Sequence, residues 1–194
     1  MKKFKTSALI LCSISSAFLL ASCSNNTTNH LETKTKVSDE QTSNIVKKPG
    51  IEGYVLGIRG HQMLVVSQEP KNYESTSGTK EFYNAVWFSN APRNIKIGQK
   101  VQVWFDYMLE SYPGQSNAEK VKVIKSKSFV GSKLTEADVI KKVVHDQSKK
   151  IKELMIPSII IKSIEYDKHF HRFTVQIQDL NGKQKWNYQF EDKQ

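Results

Sequence analysis

Gly53-Tyr54-Val55-Leu56-Gly57-Ile58-Arg59-Gly60-His61-Gln62-Met63-Leu64-Val65-Val66-Ser67 decides the reading of the fold. Two β-rich runs flank Arg59-Gly60-His61, and glycine at the bend supplies the backbone freedom of a hairpin turn. Working outward, the polar stretch Gln68 to Lys80 separates this hairpin from a strand at Asn84 to Ser89. Ile95 to Lys100 reads as a turn feeding Val101 to Phe105, where Val101, Val103 and Phe105 share one face. A last strand is expected at Ala118 to Ser126. Five short strands without an intervening helix predict an OB-like small β-barrel over residues 51–128.

Beyond it the period changes. Thr135 and Asp138 form a helix N-cap, because the hydroxyl accepts free N–H groups and the acid suits the helix dipole. Val139, Ile140, Val143, Val144, Ile151 and Leu154 then recur at helical spacing, opposite a lysine-rich face of Lys141, Lys142, Lys149, Lys150 and Lys152. Pro157 is expected to stop the helix. Strands follow at Ile159 to Tyr166, His171 to Asp179 and Lys185 to Phe190, the last two joined by an Asn181-Gly182 turn. Phe173, Val175 and Ile177 should pack on the helix, with Trp186, Tyr188 and Phe190 or their neighbours. The fold class is therefore α+β, an OB-like barrel followed by an α-β-β-β domain over 133–194.

The N-terminal segment is of another kind. Lys2, Lys3 and Lys5 precede an uncharged apolar run from Ala8 to Leu20, the pattern of a secretory signal over residues 1–22. As a helix the run would rise about 20 Å, short of a hydrocarbon core of roughly 30 Å. Leu20-Ala21-Ser22-Cys23 resembles the lipobox of bacterial prolipoproteins, which implies cleavage before Cys23 and lipidation of its thiol. Cys12 would leave with the signal, so no free thiol or disulfide is expected in the mature chain. Residues 23–50 are rich in Ser, Thr and Asn and poor in apolar groups, which predicts a disordered tether. The protein is thus expected on the extracytoplasmic face of a membrane, held by its N-terminal lipid.

Removing residues 1–22 takes away three lysines and no acid, so the net charge falls from +10 to +7. Arg59, Arg93 and Arg172 are the sole arginines, and nucleic-acid sites favour the arginine fork. No nucleic-acid partner is expected. Lysine charge on this scale suits anionic lipid or wall polymer, or simply a solvated surface.

The phrases Gly53-Tyr54-Val55, Met63 to Ser67, Ala85-Val86-Trp87-Phe88-Ser89, Ile97 to Val101 and Glu110-Ser111-Tyr112-Pro113-Gly114-Gln115 resemble the YobA-like family of lipoprotein domains, domain of unknown function 3221, over residues 51–127. The resemblance implies a Gram-positive envelope lipoprotein and carries no activity with it. The order of helix and three-stranded meander in 133–194 is similar to PepSY-type domains, which implies a regulator or inhibitor of an envelope peptidase.

Catalytic motifs are lacking. Ser67, Ser89 and Ser111 have no nucleophile elbow, and there is no phosphate loop, dinucleotide fingerprint or zinc-protease helix. Asp106 and Glu110 could form a carboxylate pair of the kind that hydrolyses glycosides, though at this spacing such acids more often cap a loop. Asp167, His169 and His171 alternate in a way that can hold zinc or copper, yet Asp167-Lys168-His169 also reads as a turn. His61 reads as a hairpin-tip residue. The better candidate for a binding surface is Glu110, Ser111, Tyr112, Pro113 and Gln115, where rigid amphipathic groups stand beside hydrogen-bonding ones at a strand end. The opposing reading folds Tyr112 and Pro113 back over the barrel end as a plug. The expectation is a non-enzymatic binding module without cofactor, contacting an envelope protein or wall polymer. A PepSY-like regulator is the alternative, and a metal-binding or hydrolytic protein the third.

Overall fold

A computed structural model describes residues 47–150, 159–180 and 182–193. The signal segment, Cys23, most of the tether, Ile151, Lys152, Leu154, Pro157 and Asn181 lie outside the described residues, as do the side chains of Lys149 and Lys150.

The opening hairpin forms as read. Strands β1 (Ile51–Arg59) and β2 (Gln62–Ser67) pair antiparallel, closing on Arg59 opposite Gln62. The two-residue turn between them uses Gly60 at φ +55°, a conformation that suits glycine. The polar stretch after it is more structured than its composition indicates. It holds β3 (Lys71–Tyr73), a single helical turn α1 (Glu74–Ser77) and β4 (Thr79–Phe82), with β3 and β4 paired. Strands β5 (Ala85–Ser89) and β6 (Lys100–Trp104) follow.

Of the last expected strand, Ala118 to Ser126, only Lys120–Val123 is strand, and a further short strand precedes it. β7 (Gly114–Asn117) runs parallel to β5, whereas β8 (Lys120–Val123) runs antiparallel to β6. Ala118 and Glu119 join them, their amides donating to the carbonyls of Ser89 (3.1 Å) and Trp104 (2.9 Å). The resulting order, β7-β5-β2-β1-β6-β8, is an open sheet, so the expected closed barrel is not present as one continuous ladder. The physical reason is that β7 and β8, consecutive in the chain, take opposite edges of the sheet without pairing with each other.

Side chains of the sheet alternate between two apolar clusters. Val55, Met63, Val65, Val86, Phe88 and Val101 line one face. Tyr54, Leu56, Leu64, Val66, Ala85 and Trp87 line the other. This explains why these strands read as near-continuous apolar runs, since both of their faces are covered.

Helix α2 (Glu136–Lys150) covers the second face with Val139, Ile140, Val143 and Val144, all buried. Fully burying such a side chain stabilises by about 1.5–3 kcal/mol. Its N-terminus is capped as read: Asp138 accepts from the Thr135 amide (2.9 Å) and hydroxyl (2.6 Å), and that hydroxyl accepts the Asp138 N–H at 3.4 Å. Strands β9 (Ile159–Asp167), β10 (Arg172–Asp179) and β11 (Lys185–Glu191) form an antiparallel meander in the order β11-β10-β9. Phe173, Val175 and Ile177 are buried, and Trp186, Tyr188 and Phe190 pack half-buried beside them.

One cluster therefore runs from the first sheet through α2 into the second. Polar ties cross the same boundary. Tyr54 donates to Glu136 Oε1 at 2.9 Å, Tyr188 donates to Asp146, and Lys162 bonds the hydroxyl of buried Tyr83. Gly98 seats the β5–β6 connection on α2: a Cβ there would lie 2.1 Å from the Ala137 carbonyl oxygen. Residues 45–194 make one compact unit.

Candidate functional site

The connection between β6 and β7 is long but firmly braced. The Leu109 amide donates to Gln115 O (2.8 Å) and that of Ser111 to Leu109 O (2.9 Å). Ser116 Oγ donates to Tyr107 O at 2.5 Å, and Asn117 Nδ2 to the Tyr107 hydroxyl at 2.8 Å. The Tyr112 hydroxyl reaches across to the Tyr83 carbonyl at 2.9 Å. A loop tied at so many points presents its side chains in one arrangement, which lowers the ordering cost of binding.

What it presents is apolar. Tyr107, Met108 and Leu109 are consecutive and 54%, 47% and 56% exposed, and Tyr112 is 45% exposed. Met108 lies over Gly114, where a Cβ would approach its sulfur to 2.7 Å, so glycine at the start of β7 provides its seat. The Tyr112 ring packs on Phe82 (centroids 5.4 Å apart), and Phe82 meets Tyr73 edge-on at 5.7 Å. The β3–β4 hairpin thus extends the loop into an aromatic rim.

Of the residues expected to bind, Tyr112 is central to this rim. Ser111 directs its hydroxyl to Pro113 O (2.8 Å), following the cis Tyr112-Pro113 bond. Glu110 is exposed, and Gln115 is exposed on β7 opposite Trp87. Burial pushes the Tyr112 hydroxyl pKa up, so it remains a neutral donor to Tyr83. The Tyr112 hydroxyl is thus tied to the Tyr83 carbonyl while the residue as a whole is 45% exposed. Trp104 and Phe105, at the end of the strand that leads into the loop, make other contacts. Trp104 donates to Lys47 O (2.7 Å), and Phe105 packs on Phe88 (5.1 Å).

Tyr107, Met108, Leu109, Tyr73 and Phe82 were not anticipated. The available signal was an apolar triplet in a connection where turn residues are expected.

The remaining candidates are placed apart from the rim. The Lys47 ammonium beside Asp106 holds that carboxyl below its usual range, and Asp106 is paired with Lys47 instead of Glu110. Asp167 Oδ1 accepts the amides of His169 (2.8 Å) and Phe170 (3.1 Å), building the turn between β9 and β10. His171 Nδ1 faces the Tyr166 hydroxyl at 3.1 Å. Among the described residues no group of three His, Cys, Asp or Glu is arranged around a metal position. His61 sits in the β1–β2 turn, its carbonyl accepting the Ala91 amide. Lys142 of the helix face pairs with Asp146 at 2.9 Å. No described helix is long and apolar enough to cross a membrane.

Residues 52–125, which contain the rim's loop and hairpin, match the family described as Protein of unknown function (DUF3221). This bears out the resemblance over 51–127. No curated protein and no solved structure matches the chain.

Proposed function

We propose that the protein is a lipid-anchored, extracytoplasmic docking module without catalytic activity, which holds an envelope protein through its aromatic rim. The observation that carries this is the exposed run Tyr107-Met108-Leu109 on a braced loop. A contiguous apolar patch on a rigid loop is characteristic of interaction sites. Tyrosine and methionine are enriched at protein interfaces and depleted elsewhere on surfaces. The Phe82 ring is inclined to both Tyr73 and Tyr112, which suits the uneven surface of a protein better than the flat faces of a sugar polymer.

Anchoring is supported by the sequence Leu20-Ala21-Ser22-Cys23 and by the charged and apolar run before it. An OB-like reading of the first half is supported by strand pairing. β1, β2 and β5 are followed around by β7 in parallel, then β8, β6 and β1 again, with Ala118 and Glu119 carrying the chain between edges. A second reading concerns 133–194, where α2 and the β9–β11 meander have the order of a PepSY-like domain; it assigns the partner as an envelope peptidase.

The test is retention on immobilised mature chain, residues 23–194 with Cys23→Ser. A protein held by this chain from envelope extract should be lost with Leu109→Asp and kept with Lys122→Asp on β8. Equal retention by both variants would overturn docking through the rim.

A further inference from the structure

We propose that a groove between β1, β5 and α2 binds a free, single-chain carboxylate amphiphile. The groove has a volume of about 360 Å³, enough for one small molecule and too little for a two-chain lipid. Its walls are Leu56, Trp87, Ile97 and Val144. At its base Gly57 leaves room beside the indole, since a Cβ there would stand 3.1 Å from Trp87 Cη2 and 3.4 Å from Leu64 Cβ. Such walls favour a hydrocarbon chain.

The mouth has the opposite chemistry. Among the described residues Arg59, Lys141 and His145 line it, and no acidic residue does. Arg59 lies over the Trp87 ring, 4.2 Å from the centroid, with Nε donating to Gln62 at 2.8 Å. Neither Arg59 nor Lys141 joins an ion pair among the described residues. The guanidinium therefore retains donors for a carboxylate, which it can engage in a charge-assisted bond. Trp87 is 7% exposed, and its Nε1 has no hydrogen-bond partner among the described residues. Apolar walls and a cationic mouth complement a chain that ends in an anion.

The site is separate from the rim, so either proposal can fail alone. Both apolar clusters lie wholly within the compact unit of residues 45–194, so the mature chain with Cys23→Ser is suitable for the test. Decanoate is titrated below its micellar concentration, with calorimetry and the Trp87 indole N–H resonance as readouts. Saturable binding should move that resonance, and decanol should bind about tenfold or more weakly. Arg59→Gln with Lys141→Gln should weaken decanoate by about tenfold or more, and since both side chains are exposed the fold is kept. Gly57→Val should abolish binding. Absence of saturation, equal affinity for decanol, or an unchanged affinity in the glutamine double variant would overturn the proposal. So would association with phosphatidylglycerol vesicles unaccompanied by any response to decanoate.

Discussion

Two residues show how closely the layers fit. Gly98 has φ +93°, and an added Cβ would meet the Ala137 carbonyl at 2.1 Å, so Gly98→Ala is both strained and obstructed. It should destabilise by roughly 2–4 kcal/mol in urea unfolding; a loss under about 1 kcal/mol would mean that the loop does not press on α2. Thr135 is a subtler case. Its hydroxyl and amide hold the Asp138 carboxyl below the usual range. A group with a lowered folded pKa contributes stability that is full above its unfolded value and is lost as pH falls through the folded one. Thr135→Val should therefore cost about 1 kcal/mol at neutral pH, and the gap to wild type should narrow as the medium is acidified below the ordinary aspartate range. A gap that widened in acid would contradict the capping role.

At the scale of elements, the β3–β4 hairpin is the informative one. Its composition reads as linker, and only tertiary partners explain its order. Tyr83, just past β4, is buried, bonds Lys162 of β9 through its hydroxyl and accepts Tyr112 through its carbonyl. Glu81 faces Lys162 and Lys185 at 3.9 and 3.8 Å. Tyr83→Phe should cost about 1–1.5 kcal/mol and raise amide exchange in β3, β4 and the Tyr112 loop, leaving β10 protected. Unchanged exchange in the hairpin would show that it is held by something else. The elements that sequence did reveal, such as β1, β2, α2 and β9 to β11, have local causes: a glycine turn, a cap, or a clean apolar period. The hairpin, the passage from β7 to β8 at Ala118 and the apolar loop at Tyr107 depend on contacts far along the chain, which periodicity does not encode.

For the whole molecule, the shared cluster makes the first sheet, α2 and the second sheet interdependent. Sequence divides this region into residues 51–128 and 133–194, because the period changes between them; burial on both sides of α2 is visible only in three dimensions. Single-tryptophan variants retaining Trp104 or Trp186 should unfold at one common denaturant midpoint, and two separated midpoints would indicate independent halves. Outside this unit, Cys23→Ala should stall processing or release the protein from the membrane fraction, whereas normally processed, membrane-bound protein would rule out lipid anchoring. The proposed role rests on the rim meeting a partner in the envelope, and that is open to direct observation. A photo-crosslinking residue placed at Leu109 in living cells should yield one discrete adduct, absent when the same residue is placed at Lys122 and lost when Tyr112→Ala is added. No adduct at Leu109, or the same adduct from both positions, would contradict docking through the rim.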